Sequence, residues 1–262
     1  MALYYKEDGE QNEQIILFLH GGGVGGWMWD EQVQYFKGKY HCIVPDLPGH
    51  GRSRETYFVS IKDCAFQLIH LLEEKKEDKK IIVVGFSLGA QIAIQMLSQS
   101  LDLIDYAMIN SALVRKVPFG KEMVKPTIKL TYPLIKYRFF SKLQAKQLYI
   151  GPNLFEKYFK DSNRMSLDTL TMVLEENMSF QVPDSYADVK ADLLITVGEK
   201  ERKVMKSSAI DLLSKQDRAQ GITITGIGHG IPIAAPDFFN DILENWLEGA
   251  GLLLNTKVIP KC

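Results

Sequence analysis

The sequence predicts an α/β protein with a mostly parallel, doubly wound sheet into which a helical segment is inserted. Three observations carry that expectation. Short aliphatic runs such as Ile81–Val84 alternate with segments that have the length and apolar spacing of helices. Glycine-rich turns follow directly on several of these runs, and in parallel sheets the carboxyl ends of the strands are where ligands bind. Residues 112–185 break the alternation with aromatic-rich, helical-looking pieces punctuated by Pro118, Pro126, Pro133 and Pro152. The 262 residues therefore divide into a core of residues 1–111 and 186–262 and a helical cap of residues 112–185.

Composition narrows the class of function. Hydrophobic residues make up 46% and charged residues 24%, as expected of a soluble globular protein. A net charge of −1 argues against a nucleic-acid partner, which calls for a basic chain. No apolar run approaches the roughly 20 residues that span a bilayer, and the N-terminus lacks the basic and apolar regions of a signal peptide. The three cysteines, Cys42, Cys64 and Cys262, are odd in number and widely spaced. They fit neither a disulfide framework nor a metal-binding spacing, so buried free thiols in a reducing cytoplasm are expected.

Taken in order, residues 3–7 read as an edge strand closed by Asp8-Gly9, and Gln14–Leu19 as a second strand. The second strand runs into His20-Gly21-Gly22-Gly23-Val24-Gly25-Gly26, where five glycines mark backbone that must approach another group closely. Trp27 and Trp29 open a short helix to about Lys37, and His41–Val44 is the third strand. The turn after it, Pro45 to Ser53, contains Asp46 and His50, which such a turn uses for internal hydrogen bonds. Residues 60–74 form an amphipathic helix with Ile61, Ala65, Leu68, Ile69 and Leu72 on one face, followed by a charged connector.

Next comes Ile81–Val84, then Gly85-Phe86-Ser87-Leu88-Gly89, then an apolar helix through Gln99. A strand that enters a helix through G-x-S-x-G turns sharply and projects the serine hydroxyl clear of the sheet. Ile104–Ile109 is a fifth strand, Leu193–Val197 a sixth and Gly221–Thr225 a last short one. Residues 203–214 are helical and Pro236–Leu247 forms the closing helix, while the tail after it shows no evident role. Within the cap, residues 115–164 hold twelve Lys and Arg against three Asp and Glu, a net of +9 that leaves −10 on the rest of the chain. Such a segment suits anionic substrates or an anionic membrane surface, unless its lysines merely face solvent.

These turns supply the parts for acyl transfer. Ser87 needs a base to take its proton, and His229, in a glycine-flanked turn at the end of the last strand, is the candidate. The imidazole in turn needs a carboxylate, for which Glu199 and Glu201 are both placed, just past the sixth strand. The chain order Ser87, Glu, His229 is the order this architecture uses. Backbone N–H groups of Leu88 and of Gly22 would form the oxyanion hole.

Together the motifs HGGG, DLPGHGRS, GFSLG, GEKE and GIGHGIP resemble those of capped serine hydrolases of the α/β-hydrolase fold, in the family's order and spacing. The resemblance covers nearly the whole chain outside the cap. It implies an α/β-hydrolase sheet and a carboxylesterase-like activity through an acyl-Ser87 intermediate; the sequence carries no sign of a metal or organic cofactor. It places the triad acid three residues beyond the glycine that follows the sixth strand, at Glu201, where most members have Asp. It also implies that the family's usual first strand is missing here. A small acyl substrate, anionic or apolar, is expected. Thioester hydrolysis, carbon–carbon hydrolysis or lyase chemistry, and ligand binding without catalysis are the alternatives that the same fold accommodates.

Overall fold

The computed structural model describes residues 3–251 and 253–260. In chain order the elements are β1 (Tyr5–Asp8), β2 (Gln14–Leu19), α1 (Asp30–Phe36), β3 (His41–Pro45), α2 (Ile61–Lys75), β4 (Lys80–Phe86), α3 (Leu88–Gln99) and β5 (Tyr106–Asn110). Four helices follow before the sheet resumes: α4 (Gly120–Thr131), α5 (Arg138–Gln147), α6 (Pro152–Arg164) and α7 (Leu167–Ser179). The chain closes with β6 (Asp192–Gly198), α8 (Lys203–Ser214), β7 (Ala219–Ile224), α9 (Ile231–Ala234), α10 (Pro236–Leu247) and β8 (Thr256–Val258).

Among the described residues the sheet has eight strands in the order β1-β3-β2-β4-β5-β6-β7-β8. The strands from β3 to β7 are parallel, while β1 and β8 add antiparallel edges. After β2 the chain steps outward to β3, then crosses back to lay β4 on the other side of β2. The order of the strands therefore reverses between β2 and β4, and a crevice opens at their carboxyl ends. The glycine loop after β2 and the Ser87 turn after β4 both lie at that crevice.

Strand period explains why runs such as Ile15–Leu19 are apolar throughout. Ile15, Leu17 and Leu19 face a core shared with Leu68 and Leu72 of α2, Ile92 of α3 and Leu212 of α8. Ile16 and Phe18 point the other way, into a second core with Trp29, Phe36 of α1 and Phe239 and Leu243 of α10. Burying both faces of a strand removes any need for a polar alternation. Cys42 and Cys64 are free and buried, as expected, and Cys262 lies outside the described residues.

The tail does have a structural role, contrary to the sequence expectation. Its β8 pairs with β7, with Thr225 N–H donating to the Asn255 carbonyl and Ile259 N–H to that of Gly221. Lys257 of this strand donates to Glu199 at 2.8 Å. A three-residue strand offers too little pattern to be recognised by period alone. Among the described residues no helix is long and apolar enough to cross a membrane.

Candidate active site

Ser87 sits between β4 and α3 with φ 55° and ψ −111°, a conformation that costs a non-glycine residue energy and must be held from outside. The holding contacts are local. Ser87 N–H donates to the Asn110 carbonyl of β5 at 2.9 Å, and its own carbonyl accepts from Ala90 and Gln91. The flanking glycines are sterically required. A Cβ on Gly85 would lie 2.5 Å from the Gly89 carbonyl oxygen, and one on Gly89 would lie 2.2 Å from that of Leu19.

The second sheet edge supplies His229. Its loop packs onto the end of β6 so closely that a Cβ on Gly198 would lie 2.6 Å from the carbonyl oxygens of Ile227 and Gly228. The Phe86 ring backs the imidazole, with centroids 4.8 Å apart. His229 Nε2 stands 3.1 Å from Ser87 Oγ, and Nδ1 stands 2.9 Å from Glu201 Oε2. Glu201 Oε1 accepts from Ser111 Oγ at 2.6 Å and from Gly198 N–H at 2.9 Å.

Glu201 is only 7% exposed, and burial by itself pushes its carboxyl pKa up. The hydrogen bonds from His229, Ser111 and Gly198 and the attraction of the imidazole outweigh burial, so the net pKa is lowered and the group is a carboxylate. A carboxylate only accepts, so Nδ1 must carry the imidazole proton. That leaves the Nε2 lone pair to accept from the Ser87 hydroxyl.

Glu199, the other acid open on sequence grounds, is turned outward. It accepts from Lys257 Nζ at 2.8 Å and from Gly226 N–H at 2.9 Å. Asp46 and His50 make hydrogen bonds inside their turn, as expected, with Asp46 accepting from Arg52 N–H at 2.8 Å and His50 Nδ1 lying 2.9 Å from the Pro48 carbonyl, but Asp46 also reaches outside it and accepts from Gly26 N–H of the glycine loop at 2.7 Å. Buried His20 ties the glycine loop to that same turn. Its Nε2 accepts from Leu47 N–H at 2.9 Å, so Nδ1 carries the proton and donates to the Gly21 carbonyl at 2.7 Å.

The glycine loop passes close to the Ser87 turn. A Cβ on Gly21 would lie 3.5 Å from Ser87 Cβ, and one on Gly22 would lie 3.8 Å from Leu88 Cδ2. Leu88 is the first residue of α3, so its N–H has no acceptor inside the helix. Gly22, Ser87, Leu88 and His229 all line one cavity of about 570 Å³.

Three residues were not singled out from the sequence. Ser111, at φ 58° just beyond β5, bonds to Glu201. Its only signal was its position at the carboxyl end of a strand. Tyr149, between α5 and α6, accepts from Gly228 N–H at 2.9 Å and so bears on the His229 loop. Asn177 of α7 lines the cavity and donates to Gln91, which is buried in α3. Nothing local in the sequence marks either Tyr149 or Asn177.

Above Ser87 the cavity is lined by α4 to α7 and the turns between them, with side chains such as Ile128, Ile135, Phe140, Met165, Leu170 and Val173. None of the cavity-lining residues is Lys, Arg, Asp or Glu. The +9 of residues 115–164 therefore lies elsewhere on these helices and turns.

Comparison with known proteins agrees with this architecture. The model of the alpha/beta hydrolase family matches residues 16–242. The chain is 22% identical over 258 residues to the (E)-2-((N-methylformamido)methylene)succinate hydrolase of Acinetobacter baylyi, covering 94% of each chain. Its fold is similar to that of a thermophilic esterase from Thermogutta terrifontis, with a TM-score of 0.78 at 17% identity over 94% of this chain and 93% of that one. It is also similar to that of the enol-lactonase from Burkholderia xenovorans LB400, with a TM-score of 0.79 at 16% identity over 94% and 96%.

Proposed function

This chain belongs to the alpha/beta hydrolase family, and on that premise we propose that it is a serine hydrolase that cleaves carboxylic esters through an acyl-Ser87 intermediate. The observation that carries the proposal is the hydrogen-bonded line from Ser87 Oγ through His229 to buried Glu201, opening on an uncharged cavity.

The sequence of steps follows from the protonation states. His229 Nε2 takes the Ser87 proton as Oγ attacks the ester carbonyl, and Glu201 stabilises the imidazolium that forms. The N–H groups of Leu88 and Gly22 receive the developing oxyanion, each such donor being worth about 2.7–4 kcal/mol in the transition state. Nε2–H then protonates the departing alcohol. Water activated by the same imidazole attacks the acyl carbon and frees Ser87.

The four helices between β5 and β6 serve in this reading as a cap that selects the acyl group. Of the anionic and apolar substrates that the charge pattern allowed, the cavity favours the apolar one. Its size and lining suit a neutral acyl chain, and a free carboxylate there would be desolvated without a cationic partner. A thioester would use the same machinery, and the substrate panel in the test separates the two.

The test is an activity screen over esters, thioesters and lactones of graded acyl length, with Ser87→Ala alongside. We expect ester turnover that is lost in Ser87→Ala while the fold is kept, and a serine-reactive phosphonate that adds one mass to the wild type and none to the variant. Activity retained by Ser87→Ala would remove the proposal.

A further inference from the structure

We propose that α4, α5 and the turn between them form a docking face for an anionic lipid surface, with the cavity mouth turned toward the lipid. The proposal rests first on a helix that carries apolar side chains on its outer side as well as its inner one. α4 packs inward through Val124 and Ile128, yet Met123 and Leu130 stand on its outer side, in line with Phe119 at its N-terminal end. Phe119 is 79% exposed and Leu130 78%, and Phe139 of α5 reaches 83%. Isolated exposed apolar residues are ordinary, but a row of them along one helix, with another projecting from the helix that follows, marks an interaction surface.

Charge identifies the partner. Residues 120–147 carry seven Lys and Arg against one acid, Glu122, and of the seven Arg138 pairs with Glu156 and Lys125 with Glu175. Beside the outward row on α4 stands Lys129, whose long stem can lie along apolar material while its head reaches anionic groups, whereas Lys125 of the same helix is paired with Glu175 of α7 at 3.7 Å. A second copy of the chain would bring two such cationic faces together and be repelled. An acidic protein would answer the lysines, but it would need a separate pocket for each projecting ring and leucine. A bilayer accepts both features at once, with apolar side chains in the acyl boundary and cations at the headgroups.

The face is also continuous with the cavity. Leu143 is exposed and lines the cavity, while Ile128 and Ile135 of the same segment line it from within. An ester dissolved in the membrane would thus pass from lipid to Ser87 without crossing bulk water. That last consequence rests on the esterase reading, whereas the docking itself does not.

The experiment is co-sedimentation of the full chain with vesicles of phosphatidylcholine alone and with 30% phosphatidylglycerol, at low and high salt. Binding is expected to the anionic vesicles only and to weaken in high salt. The combined change Phe119→Ser, Leu130→Ser and Phe139→Ser should weaken it by about tenfold or more. Exchange of Lys129 for Gln should weaken it by about fivefold. Both variants should keep wild-type circular dichroism and wild-type turnover of a short soluble ester, because none of these residues lines the cavity. Four results would each overturn the proposal: no binding to either vesicle, binding unchanged in both variants, capture by polyglutamate but not by vesicles, or a solution dimer that the serine changes dissolve. Ser87→Ala should bind vesicles like the wild type, which separates failure of this face from failure of the catalytic reading.

Discussion

Replacing Glu201 with Gln keeps the shape of a buried side chain but changes what it can accept. In the wild type Oε1 takes hydrogen bonds from Gly198 N–H and Ser111 Oγ, and Oε2 takes one from His229 Nδ1. A backbone N–H can only donate, so the glutamine must set its oxygen against Gly198. Its NH₂ then faces His229. An amide nitrogen only donates, which forces Nδ1 to present a lone pair and moves the imidazole proton to Nε2. That proton points at Ser87 Oγ, and the base has become a donor where an acceptor is required. A change of this type costs about 10³–10⁴ in kcat, or about 4–5.5 kcal/mol. KM should stay close to wild type, because the cavity wall is untouched.

The assay is steady-state hydrolysis of a p-nitrophenyl ester, with folding checked by circular dichroism. Glu199→Gln is the paired control. That carboxylate is bonded to Lys257 and Gly226 rather than to His229, so the variant should lose less than about twofold. More than a tenth of wild-type kcat in Glu201→Gln, or equal damage from Glu199→Gln, would refute the role given to Glu201.

Other perturbations test the supports of the site. Tyr149→Phe removes the acceptor for Gly228 N–H at 2.9 Å, and by loosening the His229 loop should lower kcat about three- to tenfold without changing KM. An unchanged kcat would remove Tyr149 as a positioning residue. Gly89→Ala would press a methyl group into the Leu19 carbonyl, at a cost of about 3 kcal/mol. Thermal unfolding should then begin about 6–12 °C earlier, whereas Gly38→Ala, with open space around it, should leave the melting temperature nearly unchanged. Glu201 also predicts a pH dependence of stability. Burial raises its pKa, but the bonds from His229, Ser111 and Gly198 prevail and hold it below the ordinary 4.5. A depressed carboxyl contributes stability that is complete above its unfolded pKa and is lost as pH falls through the folded one. Urea midpoints of the wild type should therefore drop more steeply below pH 4.5 than those of Glu201→Gln, and parallel curves would count against this account.

The fold was largely legible in the chain. Aliphatic runs buried on both faces showed themselves as short strands, and the turns after them were marked by residues that few others could replace. The Ser87 turn is the strongest case. Gly85 and Gly89 stand where any side chain would strike backbone, so the motif declares the geometry from five consecutive residues. β8 was not legible, because Thr256–Val258 is short and its partners are residues of β7 more than thirty positions earlier.

The site divides along the same line. Ser87 and His229 are held in turns whose own composition announces them, although 142 positions separate the two. The acid is different. Glu199 and Glu201 lie on one turn, two residues apart, and residue type and position leave both open; only the spacing of the resembling family pointed to Glu201. Tertiary contacts give the physical difference: the tail strand draws Glu199 outward through Lys257, while Ser111, Gly198 and His229 enclose Glu201. Likewise the positive charge of residues 115–164 was plain as a count, but which face of each helix meets the cavity depends on how α4 to α7 pack. Sterics and periodicity act over a few residues and are written locally. The choice of partner for a carboxylate, and of lining for a cavity, belongs to segments that meet only when the chain is folded.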